Sequence, residues 1–344
     1  GSSYNDLIEN NAHNNHHGIV VQGGSNYNNL TANTANSNSF YGIHISDSEW
    51  NNLTDNTMDN NKYNFRISGT SDAHFYQYIN DTSNLVNGDI VYYYRNSCDV
   101  FLNQDDNVGT AYCINCENFT AENLTLENNG YGVYIRNTKD SLITNNTAIL
   151  NENGILLYNS YNTTVSYNNA SLNNDRWGNG ISLYAGSSNN TINDNVAKAN
   201  AVNGVYLFDS HHNVVKNLTA TDNGADGVHL TQSSSNTLYN ITASSNRNSG
   251  IAFYSNSNSN EISSVNAIGN QHHGFFLQGS SKNEITDVTA SANKLDGIHL
   301  EKNSNYNVVK NSEFFSNERD GIGISGSSHN TVSQNAVFEN TRRG

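Results

Sequence analysis

Proline is absent from all 344 residues, methionine occurs once, tryptophan twice and cysteine three times. A chain this long without proline suits a backbone held almost everywhere in hydrogen-bonded ladders, because proline has no N–H to donate. Lys and Arg together number only 16, which argues against neutralising a phosphate backbone and so against nucleic acid as a partner. No apolar run approaches the ~18 residues of a membrane-spanning helix. Charged residues make up 14% and leave a net charge of −15, so the surface is mostly amide and hydroxyl with an acidic tint. No stretch keeps a 3.6-residue apolar period for long, and helices are not expected.

Three cysteines do not make a framework of staples. Cys113 and Cys116 have Cys-x-x-Cys spacing, but no second pair completes a zinc site, and the reading preferred is one without redox or metal chemistry. A bridge from Cys98 to either of them stays open for an oxidising compartment.

What the chain has instead is a phrase, Gly-Ile-x-Leu, that returns roughly every 23 residues. It stands at Gly42, Gly132, Gly204, Gly227 and Gly297, with relatives at Gly18, Gly154, Gly180, Gly250, Gly274 and Gly321. An Asn and then a Gly follow a leading Asn at fixed offsets, as in Asn213, Asn223 and Gly227, or Asn283, Asn293 and Gly297. The frame drifts only around Lys62 to Gly109 and near Trp177. A fixed period in this range marks a solenoid whose units bury apolar faces against their neighbours.

Each phrase reads as a strand with its first and third residues after the Gly pointing inward and its second and fourth outward. Two further short strands per unit, near Asn190-Thr191-Ile192 and Asn195-Val196-Ala197 for example, complete a coil. The expected fold is all-β: a single-stranded parallel β-helix of about 14 coils with three short strands each, roughly 65 Å long and continuous over residues 1–344. Asn residues at fixed offsets are expected to stack as amide ladders. Both ends fall in mid-repeat, which suggests a section of a longer protein or a unit that associates end to end or laterally.

Repeats of the form Gly-Ile-x-Leu-x-x-Ser-x-x-Asn-x-Ile-x-x-Asn resemble those of NosD-like and carbohydrate-binding or sugar-hydrolase β-helix proteins. The stretch Val86 to Tyr94, followed by Ala111 to Thr120 and Glu122 to Leu126, resembles a junction of archaeal surface proteins in that group. The resemblance implies a right-handed coil and an extracellular or cell-surface place. It is specific for fold and poor for function.

Three outward groupings carry functional expectations. The first is an exposed aromatic strip of Tyr134, Tyr158, Tyr184, Tyr206, Phe208, Tyr254 and Phe276, suited to stacking on a polysaccharide or packing on a neighbouring protein. The strip's fourth-position file is read as including Cys113. The second grouping is His273, Asp296 and Asp320, each just before its coil's Gly, with His299, Glu301 and Arg319 in reach. If the protein is an enzyme, Asp296, Asp320 and His299 are the catalytic candidates, and calcium is a conceivable ligand.

The third is an imidazole cluster of His13, His16, His17 and His44. The NosD resemblance implies copper there, and imidazole suits it. Pectin-hydrolase resemblance stops at Asp105-Asp106, and the proline of the alginate-epimerase signature is missing, so catalysis is disfavoured. The leading expectation is a structural or adhesive β-helix: a stalk, adhesin or assembly subunit with no required cofactor. Asn-x-Ser/Thr sequons at Asn29, Asn52, Asn80, Asn118, Asn123, Asn145, Asn162, Asn169, Asn189, Asn217 and Asn240 allow glycosylation.

Overall fold

The computed structural model describes residues 1–79 and 82–344. Among these there is no α-helix, only short 3-10 turns at Asp72–Phe75 and Gln104–Asp106. The sequon at Asn80 lies outside the described residues. Nearly every strand pairs in parallel with the strand one coil on. Val205, Val228, Ile251, Phe275 and Ile298 are successive Cα partners, and so are Leu207, Leu230, Phe253, Leu277 and Leu300. All ten are fully buried.

The asparagine files form as expected. Asn246 is typical: its Nδ2 donates to Asn270 Oδ1 at 3.0 Å and to the Ala220 carbonyl at 3.1 Å, while its backbone N–H donates to the same Oδ1 at 3.0 Å. Such a turn leaves no buried amide unpaired, which is how a polar residue survives in a narrow core. The glycine that opens each phrase answers a space requirement. A Cβ on Gly227 would lie 2.7 Å from the Gly250 carbonyl oxygen and 2.9 Å from Asn246 Nδ2.

Two features depart from a regular three-strand coil. In several coils the second and third strands fuse, as in Val214–Thr219, Thr237–Thr242 and Glu261–Ile268, each bent at a left-handed residue (Asn217, Asn240, Ser264). The larger departure lies where the sequence frame drifts. Leu85–Val86 pairs in parallel with Thr57–Met58, then turns through Asn87 (φ 50°) and Gly88 (φ 89°) and pairs antiparallel with Asp89–Arg95. Asn-Gly with both residues left-handed makes the tight hairpin turn that suits strand twist.

Asp89–Arg95 begins the file that continues through Val108–Ile114 and Tyr131–Arg136, so one thirteen-stranded sheet reaches from Thr57–Met58 to Ile322–Ser325. The first strands of the early coils, Ile19–Gln22, Tyr41–Ser46 and Tyr63–Ser68, form a separate three-stranded sheet. They meet the later coils through the Asn64 N–H on the Asn128 carbonyl (2.6 Å) and the Gly130 N–H on the Phe65 carbonyl (2.9 Å). The first strands of the coils therefore fall into two runs.

Val108–Ile114 is the wall between them and is buried along its whole length. Ala111 and Cys113 face the core of the later coils, while Tyr112 and Ile114 join that of the early ones. A strand covered on both faces reads as Val-Gly-Thr-Ala-Tyr-Cys-Ile, without alternation. Two sequence expectations are corrected here. Cys113 pairs with Ile135 and belongs to an inward file, and Ile114 takes the outward place beside Arg136. Cys113 and Cys116 are bridged to each other, and Cys98 is free and exposed.

Candidate functional site

The outward residues of the thirteen-stranded sheet carry the aromatic strip, but the early coils roof its first part. Tyr134 is buried against Phe75 and Tyr112, where an exposed ring was expected. Beyond the roof the rings are half-buried and continuous: Tyr184 touches Tyr206, which touches His229, followed by Tyr254, Phe276 and His299. Tyr158 and Phe208 complete the file beside them.

A cleft opens where roof and strip meet. Adjoining cavities of about 260, 570 and 360 Å³ share one residue, Trp177, which is 61% exposed. Its position follows from coil length. Neighbouring coils repeat in 22, 23 or 24 residues, but Asn168 bonds Asn195 across 27, and the extra residues form the loop that carries the indole. The sequence signal for Trp177 was thus the local drift in the frame.

Charged groups converge in the cleft. Arg66 bonds Glu152 at 2.7 Å, and the Tyr41 hydroxyl donates to the same Glu152 Oε2 at 2.7 Å. Arg66 also donates to the Tyr41 hydroxyl and lies over the rings of Tyr41 and Tyr131. Burial pushes the Glu152 carboxyl up against the opposing pull of Arg66 and Tyr41. His44, in the Arg66 file, is pushed down to about 3 by burial first and then by the fields of Arg66 and His17, so it is neutral at physiological pH. Arg136 bonds Asp72 at 2.6 Å, with its guanidinium over Phe75 and Tyr158.

His13, His16, His17 and His44 do not converge as a ligand set. Among the described residues, the group of three donors that lies within 4.8 Å is His273, Asp296 and His299. This is the pre-glycine file that the sequence indicated, and consecutive coils do stack it: Asp296 Oδ1 accepts the Asp320 N–H at 3.0 Å, and His273 Nδ1 accepts the Asp296 N–H at 3.2 Å. His299 Nδ1 sits 2.7 Å from Asp296 Oδ2. Arg319 and Glu301 are close, at 3.6 Å from Asp296 Oδ1 and 3.9 Å from His299 Nε2.

Burial alone would raise the Asp296 carboxyl, but His299, the Asp320 N–H, His273 and Arg319 outweigh it and hold it below its usual value. Asp296 is fully buried. The same motif occurs three coils earlier as Asp226-Gly227-Val228-His229, with His229 Nδ1 on Asp226 Oδ2 at 2.8 Å, a pairing that sequence reading passed over.

Comparison with known proteins fits this architecture. The family described as right handed beta helix region matches residues 199–338, and that described as periplasmic copper-binding protein (NosD) matches residues 76–240. Among solved structures, the chain is similar to the A-module of mannuronan C-5 epimerase AlgE6 from Azotobacter vinelandii, at 14% identity and a TM-score of 0.58, covering 92% of this chain and 91% of that one. The AlgE4 A-module of the same organism gives 12% identity and a TM-score of 0.53, over 93% and 91%. No curated protein matches the chain in sequence. The protein is a right-handed parallel β-helix. Within that class, residues 76–240 resemble NosD.

Proposed function

We propose that the protein binds a polysaccharide along the outer face of the thirteen-stranded sheet, with the Trp177 cleft as the principal site, and that it works as a non-catalytic surface or periplasmic element. The observation that carries this reading is Trp177: an exposed indole on a lengthened loop, lining three cavities in line with a file of half-buried rings. Coils ~4.8 Å apart offer an extended polymer about one ring per step. The likeness to epimerases of mannuronan at low identity supports the scaffold, and the Cys113–Cys116 bridge supports an oxidising compartment outside the cytoplasm. The two runs of coils, sharing one wall, form a single unit in this reading.

The test is a panel of soluble polysaccharides in affinity electrophoresis. Trp177→Ala and the triple replacement of Tyr158, Tyr184 and Phe208 by Ala should each abolish retardation of the bound glycan with melting unchanged. Retardation that survives both sinks the reading. A second reading, a carbohydrate-active enzyme, draws on neutral His44 beside Tyr41, Arg66 and Glu152 at the cleft floor. Reducing-end release or unsaturated-product absorbance on the same panel, lost in His44→Gln, would establish it.

A further inference from the structure

We infer that His273, Asp296 and His299 bind one divalent transition-metal ion of the zinc or copper class, independently of what the cleft holds. Two imidazoles and a carboxylate with donor atoms inside 4.8 Å suit such an ion. Two further observations separate this group from an ordinary buried ion pair.

The first is an unmade bond. Asp296 Oδ2 and His299 Nδ1 are buried and 2.7 Å apart, close enough to attract each other but too poorly aligned for a well-formed hydrogen bond. In the equivalent coil, Asp226 Oδ2 and His229 Nδ1 are bonded at 2.8 Å and His229 Nε2 is on Thr231 Oγ1 at 2.8 Å. The motif closes on itself when it only has to hold the coil. At Asp296 both atoms face each other without alignment, an arrangement that costs stability unless a third group beside them engages both.

The second is the space beside those atoms. Gly323 occupies the outward position above His299, and a Cβ there would lie 2.6 Å from His299 Nδ1 and 3.1 Å from Asp296 Oδ2. The equivalent place above His229 is filled by Ala252. His299 also has outer support: its Nε2 is 3.3 Å from Ser325 Oγ and 3.9 Å from Glu301. A partner on the far nitrogen orients a ligating imidazole. His273 Nδ1 is 3.4 Å from Asp296 Oδ2, and its long bond to the Asp296 N–H is the contact that an ion would replace. Arg319 opposes the ion, but it lies toward the other carboxylate oxygen and is partly in solvent. Residues 273–299 lie beyond the stretch that matches the copper-binding family.

Equilibrium dialysis of the chelator-treated full chain against zinc chloride, and separately copper sulfate, tests the inference. One tightly held ion per chain is expected with a raised melting temperature. His299→Gln and His273→Gln should each weaken binding by at least about a hundredfold, as first-sphere losses exceed the second-sphere range. Gly323→Ala should weaken it with all three ligands kept, and His229→Gln should leave it intact. Melting of each variant without metal verifies folding. Absence of a bound ion in the wild type, or equal affinity in His299→Gln and His273→Gln, overturns the assignment.

Discussion

Two coils of this protein carry the same words, Asp-Gly-Val-His-Leu from Asp226 and Asp-Gly-Ile-His-Leu from Asp296. Both place a buried Asp under a half-buried His, and in both the Asp Oδ1 accepts the backbone N–H one coil on, from Ser249 or Asp320. Their neighbours differ. Asn203 Oδ1 accepts the Asp226 N–H, whereas His273 Nδ1 takes that part for Asp296. Ala252 covers the first pair and Gly323 the second. A repeat protein thus sets scaffold and chemistry apart: identical dipeptides lock the coil, and the coil before and after decides whether donors are satisfied or left open.

The largest effects should be those the two coils share. Asn223→Ala in the first coil and Asn293→Ala in the second each strand a buried carbonyl and an amide of the ladder, costing about 2–4 kcal/mol in chemical unfolding. Unequal losses would show that the ladders are not equivalent. Next, Asp296→Asn should destabilise more than Asp226→Asn, by about 1–2 kcal/mol, because it also leaves Arg319 without its counter-charge. Equal costs would break the distinction drawn here.

Rebuilding the first coil on the pattern of the second sharpens it further. Asn203→His with Ala252→Gly supplies the missing imidazole and the space, and the ion count in dialysis should rise from one to two. The smallest effect concerns a third histidine in the outward position, His44, which follows Tyr41-Gly42-Ile43 and lacks the Asp. Its folded pKa of about 3 lies below the ordinary 6.5, so the unfolded chain binds the extra proton and stability falls as pH drops from about 6.5 toward 3. His44→Gln should flatten that part of the pH–stability curve, measured by melting.

The coil was legible in the sequence because its causes are local: a glycine where backbones approach, an amide that needs its copy, apolar residues two apart. The stacking of His273, Asp296 and Asp320 followed from the same spacing. What escaped was non-local. The Asn87-Gly88 pair is a hairpin signal, but nothing beside it states that the third strand of one run becomes the first of the next. Hence the roof over Tyr134 was missed, and Cys113 was placed one residue out, in a strand whose two buried faces erase the alternation that sets register. The imidazoles near the start come close in pairs, with His16 against His17 and His17 and His44 lining one cavity, but do not bring three donor atoms together.

The doubly covered strand Val108–Ile114 has one more consequence. Each run lends it a partner and neither can release it alone, since peeling off the early coils bares Tyr112 and Tyr134, and loosening the later ones bares Ala111 and Cys113. Solenoids ordinarily fray from their tips, unit by unit. Here the seam lies inside the molecule, and heat should find it as one cooperative event joining residues near position 45 to residues near position 135.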